Sequence, residues 1–304
     1  MTAPTLRKHW VHWSFDDGAG GCLSVEVFFL VLLSAVMHAA WNSLTKVNIR
    51  PYLALAALNI IAGLFASVAL VFIGLPHGGW LLPAIAASGL RQCYYLLMAK
   101  AYQGGDLSQV YPVARGTAPV LTTILAIPLL GDHMSITSVI ALCLIMAGVM
   151  IVGLARSAGS ITTSFSPLAL ALAAGATISC FTMLDAWGSR AASSAISYGL
   201  VGATLDGVIF LAIYALFLRK ELPERYISAN ALQLAAGSLF VMASYVISVW
   251  AVTVAPVALV SALRETNILF GLLIAVTILK ETLNRSKMIG SFAILTGLVL
   301  LRLA

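Results

Sequence analysis

The chain has 304 residues, 61% of them hydrophobic and 9% charged, with a formal net charge of +6 and a mean hydropathy of +1.01. A water-soluble domain of this length needs a charged surface, and 17 Lys and Arg with 11 Asp and Glu do not supply one, so the chain reads as an integral membrane protein. In a soluble protein the positive charge would suggest nucleic acid; here the basic residues fall mainly between apolar segments and read as topology signals, with no nucleic-acid partner expected.

In chain order, residues 1–23 are polar and aromatic without periodicity or a cleavable signal pattern, and read as a disordered tail. Ten apolar segments follow, over 24–46, 52–73, 80–103, 108–130, 135–154, 167–188, 196–218, 228–253, 257–279 and 283–302. Each is close to the roughly 20 residues that a helix needs to cross a bilayer. None shows the alternation of a membrane barrel strand, so the expectation is an all-α membrane protein of ten transmembrane helices. The gaps carry turn-forming sequences such as "GLPHGGW" at 74–80 and "QGGDLS" at 103–108, and none is long enough for a soluble domain. Cys93, Cys143 and Cys180 lie within spans and Cys22 before the first, without disulfide or metal-ligand spacing.

The segment beginning "VARGTAPVL" lies over the one beginning "ALRETNILF" without a gap, at an offset of 149 residues that puts Arg115 on Arg264, Thr117 on Thr266, Asp132 on Glu281 and Gly148 on Gly297. The chain therefore divides into a five-helix repeat over 24–154, a linker over 155–166 and a second repeat over 167–304. Five is odd, so the second repeat enters the membrane from the opposite side. Inverted repeats of this kind characterise secondary transporters, which use exchange between two halves to give alternating access to a central site.

A charged group at membrane depth costs about 2.5 to 3.5 kcal/mol on insertion scales and marks a pathway or relay. The deep candidates are His38, Arg91, Arg115, Asp206, Arg264 and Glu265, whereas Asp185 and Lys100 read as snorkelling from span ends. Arg91, Tyr94, Tyr95, Met98 and Tyr102 share one helical face, and so do Tyr111, Arg115 and Thr122, with Pro119 expected to kink the helix one turn beyond. Arg264 would share a face with Asn267 and Gly271, with Glu265 a quarter turn away. Three deep arginines against two deep acids favour an anionic or zwitterionic substrate held by forked guanidinium contacts. The substrate-binding candidates are Arg91, Tyr94, Tyr95, Tyr111, Arg115, Arg264, Asn267 and Trp41. Glu265, Asp206 and His38 are candidates for an ion pair or a coupling proton.

"LLGDHMSITSVIALCLIMAGVMIVG" and "ILKETLNRSKMIGSFAILTGLVLL", with "HAAWN" at 38–42 and "APVALVSAL" at 255–263, resemble the drug/metabolite transporter superfamily, specifically its ten-helix proteins with two EamA-type halves. Lys280 stands where that family usually has Gly. The resemblance implies a carrier of small metabolites with a cavity between the halves, needing no cofactor; a monomer or homodimer in a bacterial inner membrane is expected. Counting Lys and Arg by side places both termini outside, whereas the resemblance implies cytoplasmic termini. The competing readings are an exporter of broad specificity for drugs or amino acids, a non-transporting receptor, and an intramembrane enzyme. No HExxH, paired Asp or Ser/Lys dyad supports the last.

Overall fold

The computed structural model describes residues 23–46, 51–104, 107–154, 165–218, 230–277 and 284–303. The tail, most of the linker and the Lys280–Glu281 pair lie outside these residues. The first repeat supplies α1 (Val25–Lys46), α2 (Pro51–Ile73), α3 (Leu81–Gly104), α4 (Leu107–Leu130) and α5 (Ile136–Leu154). The second supplies α6 (Phe165–Ala191), α7 (Ala195–Ile213), α8 (Ala231–Val254), α9 (Val257–Arg264), α10 (Asn267–Thr277) and α11 (Arg285–Leu303). A π-helical segment, Tyr214–Leu218, extends α7.

Local chemistry sets the ends. Ser24, Ser135, Ser194 and Asn284 accept backbone N–H bonds in the first turns of α1, α5, α7 and α11. Gly74 follows α2 at φ 90° and Gly131 follows α4 at φ 70°, a region that favours glycine. Among the described residues, eight spans are long and apolar enough to cross a membrane, α9 and α10 counting together as one. Of the other two, α3 is interrupted by Arg91, Gln92, Lys100 and Gln103, and α5 is apolar over the shorter stretch Ile136–Val152. Exposed apolar side chains such as Phe72, Leu82, Ile136, Leu232 and Phe292 make a perimeter suited to lipid.

The two repeats pack with inverted two-fold logic. A Cβ on Gly148 would meet Gly290 O at 2.5 Å and Ile294 N at 2.9 Å; a Cβ on Gly297 would meet Ala141 O at 2.8 Å and Ile145 N at 3.0 Å. Residues 141, 145 and 148 correspond to 290, 294 and 297 at the offset seen in the sequence. Gly63 and Gly207 likewise face each other across α2 and α7, each Cβ position 2.7 Å from the other's Cα. Thus α5–α11 and α2–α7 are self-related pairs, while α3–α6 is the counterpart of α8–α1. The small residues at these contacts let backbones approach closely, the usual basis of helix association in lipid.

The helix assignment is interrupted in one repeat only. Despite Pro119, α4 is continuous from Leu107 to Leu130. The interruption lies in its counterpart span, at Glu265 and Thr266, where the backbone switches to i→i−3 bonds: Glu265 N to Ala262 O at 3.1 Å and Thr266 N to Leu263 O at 3.2 Å. Thr266 Oγ1 also donates to Leu263 O at 2.7 Å, competing locally with the helical ladder.

Candidate functional site

The helices enclose a cavity of about 520 Å³, lined from both repeats. We call the side carrying Val25 and Leu303 the Val25 face and the opposite side the Lys46 face. The first-repeat lining, including Asn42, Asn59, Tyr102, Tyr111 and Arg115, comes from the Lys46-facing halves of α1 to α4. The second-repeat lining, including Phe181, Asp185, Ser248, Val252 and Val260, comes mainly from the Val25-facing halves of α6, α8 and α9, and an extended apolar cluster packs the Val25 end.

That end contains a polar latch. Asp132, buried in the turn after α4, accepts from Val257 N at 2.6 Å and so satisfies the first free N–H of α9, which begins after Pro256. Its other oxygen accepts from Arg190 NH2 at 3.3 Å, while Arg190 Nε donates to Val252 O at 2.9 Å. The acidic turn of the first repeat thus caps a helix of the second. Arg190, which follows the sixth apolar segment and falls in a gap where basic residues read as topology signals, is buried.

The deep charges sort into two groups on the cavity wall. In the first, Arg91 donates through Nε to Asp206 Oδ2 and through NH1 to Asp185 Oδ2, both at 2.7 Å, and through NH2 to Ser88 Oγ at 3.1 Å. Asp185 Oδ1 accepts from Tyr198 OH at 3.2 Å and Tyr245 OH at 3.1 Å. The Arg91 guanidinium also lies 4.7 Å from the Tyr245 ring centre and 5.6 Å from that of Phe181. One cation between two carboxylates leaves this cluster formally at −1.

In the second group, Arg115 NH2 lies 3.0 Å from Glu265 Oε1. Arg264 also lines the cavity, and among the described residues it makes no hydrogen bond or ion pair. Two cations with one carboxylate leave this cluster formally at +1. Arg115 Nε and Glu265 Oε2 are buried without hydrogen-bond partners among the described residues.

The candidates from sequence are distributed as follows. Trp41, His38, Arg91, Tyr94, Tyr95, Tyr111, Arg115, Asp206, Arg264 and Glu265 all line this cavity. The His38 and Trp41 rings meet edge to face at 4.9 Å. Asn267 does not join them: it is buried away from the lining, because the turn at 265–266 breaks the helical phase that would have aligned it with Arg264. Thr122 faces α6, donating to Ser179 Oγ at 3.1 Å. Asp185 is corrected most: it is a buried partner of Arg91, since α6 runs to Ala191 and places it well inside the helix. Deep acids therefore equal deep arginines, three to three. Tyr198 and Tyr245 were missed, as neutral tyrosines in apolar spans give no signal until a buried carboxylate faces them.

A ten-pass bundle of inverted halves around a charged, aromatic-walled cavity defines a membrane transporter. The EamA-like transporter family matches residues 26–154 and again 165–303, and the chain belongs to that family. No curated protein matches it. A solved structure described only as a crystal structure of protein shares 17% identity, with a TM-score of 0.72 over 91% of this chain and 96% of that one; the likeness is one of fold.

Proposed function

We propose that this transporter is a secondary active carrier for a small metabolite bearing a carboxylate- or phosphate-type group, anionic or zwitterionic, moved by alternating access between the two repeats. The observation that carries the reading is Arg264, a cavity-lining guanidinium with no partner among the described residues. A cavity-lining cation with no counter-ion in direct contact gains from an anion that completes its hydrogen bonds. Tyr94, Tyr95 and Tyr111 would supply hydroxyls and ring edges around the same ligand. By the excess of Lys and Arg near the Lys46 face, the cavity opens towards the cytoplasm of a bacterial inner membrane.

The three-to-three balance gives the rival reading, an exporter of lipophilic cations, the acids it needs. Arg91 binds two of those acids and Arg115 the third, which favours the anion. A thermal-shift screen of purified protein against anionic, zwitterionic and cationic metabolites tests this, because binding to the folded state raises apparent stability. Anions or zwitterions should stabilise the native chain, and Arg264→Gln should weaken that binding about 10- to 100-fold. Stabilisation by cations alone would overturn the proposal.

A further inference from the structure

The first charge cluster has one carboxylate more than its cation neutralises, and we propose that Asp206 is the proton-binding site of the cavity. The inference rests on the carrier reading above for its use, and on geometry for its place. Asp185 is fully engaged: Oδ2 accepts from Arg91, and Oδ1 from the hydroxyls of Tyr198 and Tyr245. Asp206 is also buried; Arg91 Nε engages its Oδ2, and the Ser88 hydroxyl lies within interaction distance of the carboxylate. Asp206 Oδ1 has no partner among the described residues, although the residue lines the cavity through which water would deliver a proton.

Among the described residues, the surroundings of Asp206 hold no second cation in contact. α3 presents Arg91, Ser88 and Tyr95; α6 presents Asp185; α8 presents Tyr245; Tyr198 lies on α7 itself; and α2 places Asn59 in the same cavity. Tyr214, on the π-helical extension, does not line it. Arg91 is thus the single positive neighbour for two carboxylates, and a proton on Asp206 Oδ1 brings the cluster to neutrality without breaking the Arg91 bonds. Glu265 stands in the opposite field, ion-paired with Arg115 and with Arg264 lining the same cavity, so charge balance on that side calls for no added proton.

Protonation converts the six cavity charges from a net zero to +1, the surplus sitting on the Arg115–Glu265–Arg264 side. An anion and a proton then each favour binding of the other, as linkage requires. Release of the proton restores neutrality and weakens the hold on the anion.

Infrared difference spectroscopy of the purified full chain during a pH titration reads this without any substrate, through the carbonyl stretch of a protonated carboxyl. Lowering the pH should raise one such band from a buried group in the native chain. Asp206→Asn should abolish it, Glu265→Gln should leave it unchanged, and Asp185→Asn should move its appearance to lower pH by removing the excess negative charge. If Asp206→Asn fails to fold, Asp206→Glu should retain the band at a displaced frequency. A band that survives Asp206→Asn or disappears with Glu265→Gln, an Asp206→Glu band identical to the native one, or no titrating band at all overturns the assignment. Because no ligand is used, that failure is distinct from a failed metabolite screen, which bears on Arg264 instead.

Discussion

Arg91 is the residue on which the negative side of the cavity depends, and its removal should be felt more strongly than removal of either acid. Arg91→Met would leave two buried carboxylates facing each other, whereas Asp185→Asn leaves Arg91 paired with Asp206. Breaking a buried pair from one side costs about 3 to 5 kcal/mol. Arg91→Met should therefore lower the melting temperature in detergent well below that of Asp185→Asn, and adding Asp185→Asn to it should recover part of the loss. Equal effects of the two single changes would contradict this hierarchy. Helical spacing was enough to gather Arg91, Tyr94, Tyr95, Met98 and Tyr102, since α3 is continuous and one face suffices. The same arithmetic failed for Asn267, because periodicity carries no warning of an i→i−3 turn. It failed for Asp185 because apolar content places a span end only to within a turn.

At the scale of elements, the split between α9 and α10 and the carboxylate that caps α9 are the features that hold one side of the cavity shut. Asp132 lies in the acidic turn that links the sequence to its family, and its role is visible only once α9 is docked against it, across the two repeats. Asp132→Ala would remove the acceptor of the Val257 N–H and one acceptor of Arg190, both buried. With Ser261→Cys as a reporter on the cavity wall, in a chain lacking its native cysteines, a membrane-impermeant thiol reagent should label the otherwise native chain from the cytoplasmic face of inverted vesicles. Asp132→Ala should add labelling from outside intact cells. Labelling of Ser261→Cys from outside alone would reverse the proposed orientation, and an unaltered pattern in Asp132→Ala would remove the latch from the closed end. The loop lengths and turn residues were legible beforehand, but a contact between turns far apart in sequence has no signature in a single chain.

For the molecule as a whole, the register that pairs Arg115 with Arg264 also pairs the axial glycines, and the structure reproduces it in space. The ten spans follow from hydropathy to within a few residues, and the inversion follows from an odd helix count. What hydropathy cannot supply is the difference between the halves: one deep arginine faces a glutamate across the cavity and its counterpart has none in contact. Burying Arg190 and Lys287 removes one basic residue from each face, so the charge asymmetry behind the proposed orientation persists.

The contacts of Gly148 with Gly290 and of Gly297 with Ala141 are images of each other. If the halves exchange shapes during transport, such an interface is converted into itself, so its free energy enters both conformers equally and drops out of the equilibrium between them. A methyl group added at Gly148 or Gly297 should cost about 1 to 3 kcal/mol of stability through overpacking. It should lower the melting temperature without changing the ratio of inward to outward labelling at Ser261→Cys. The α5–α11 seam would then act as a hinge pin, setting whether the protein survives and leaving to the charged cavity and the Asp132 latch the question of which way it faces.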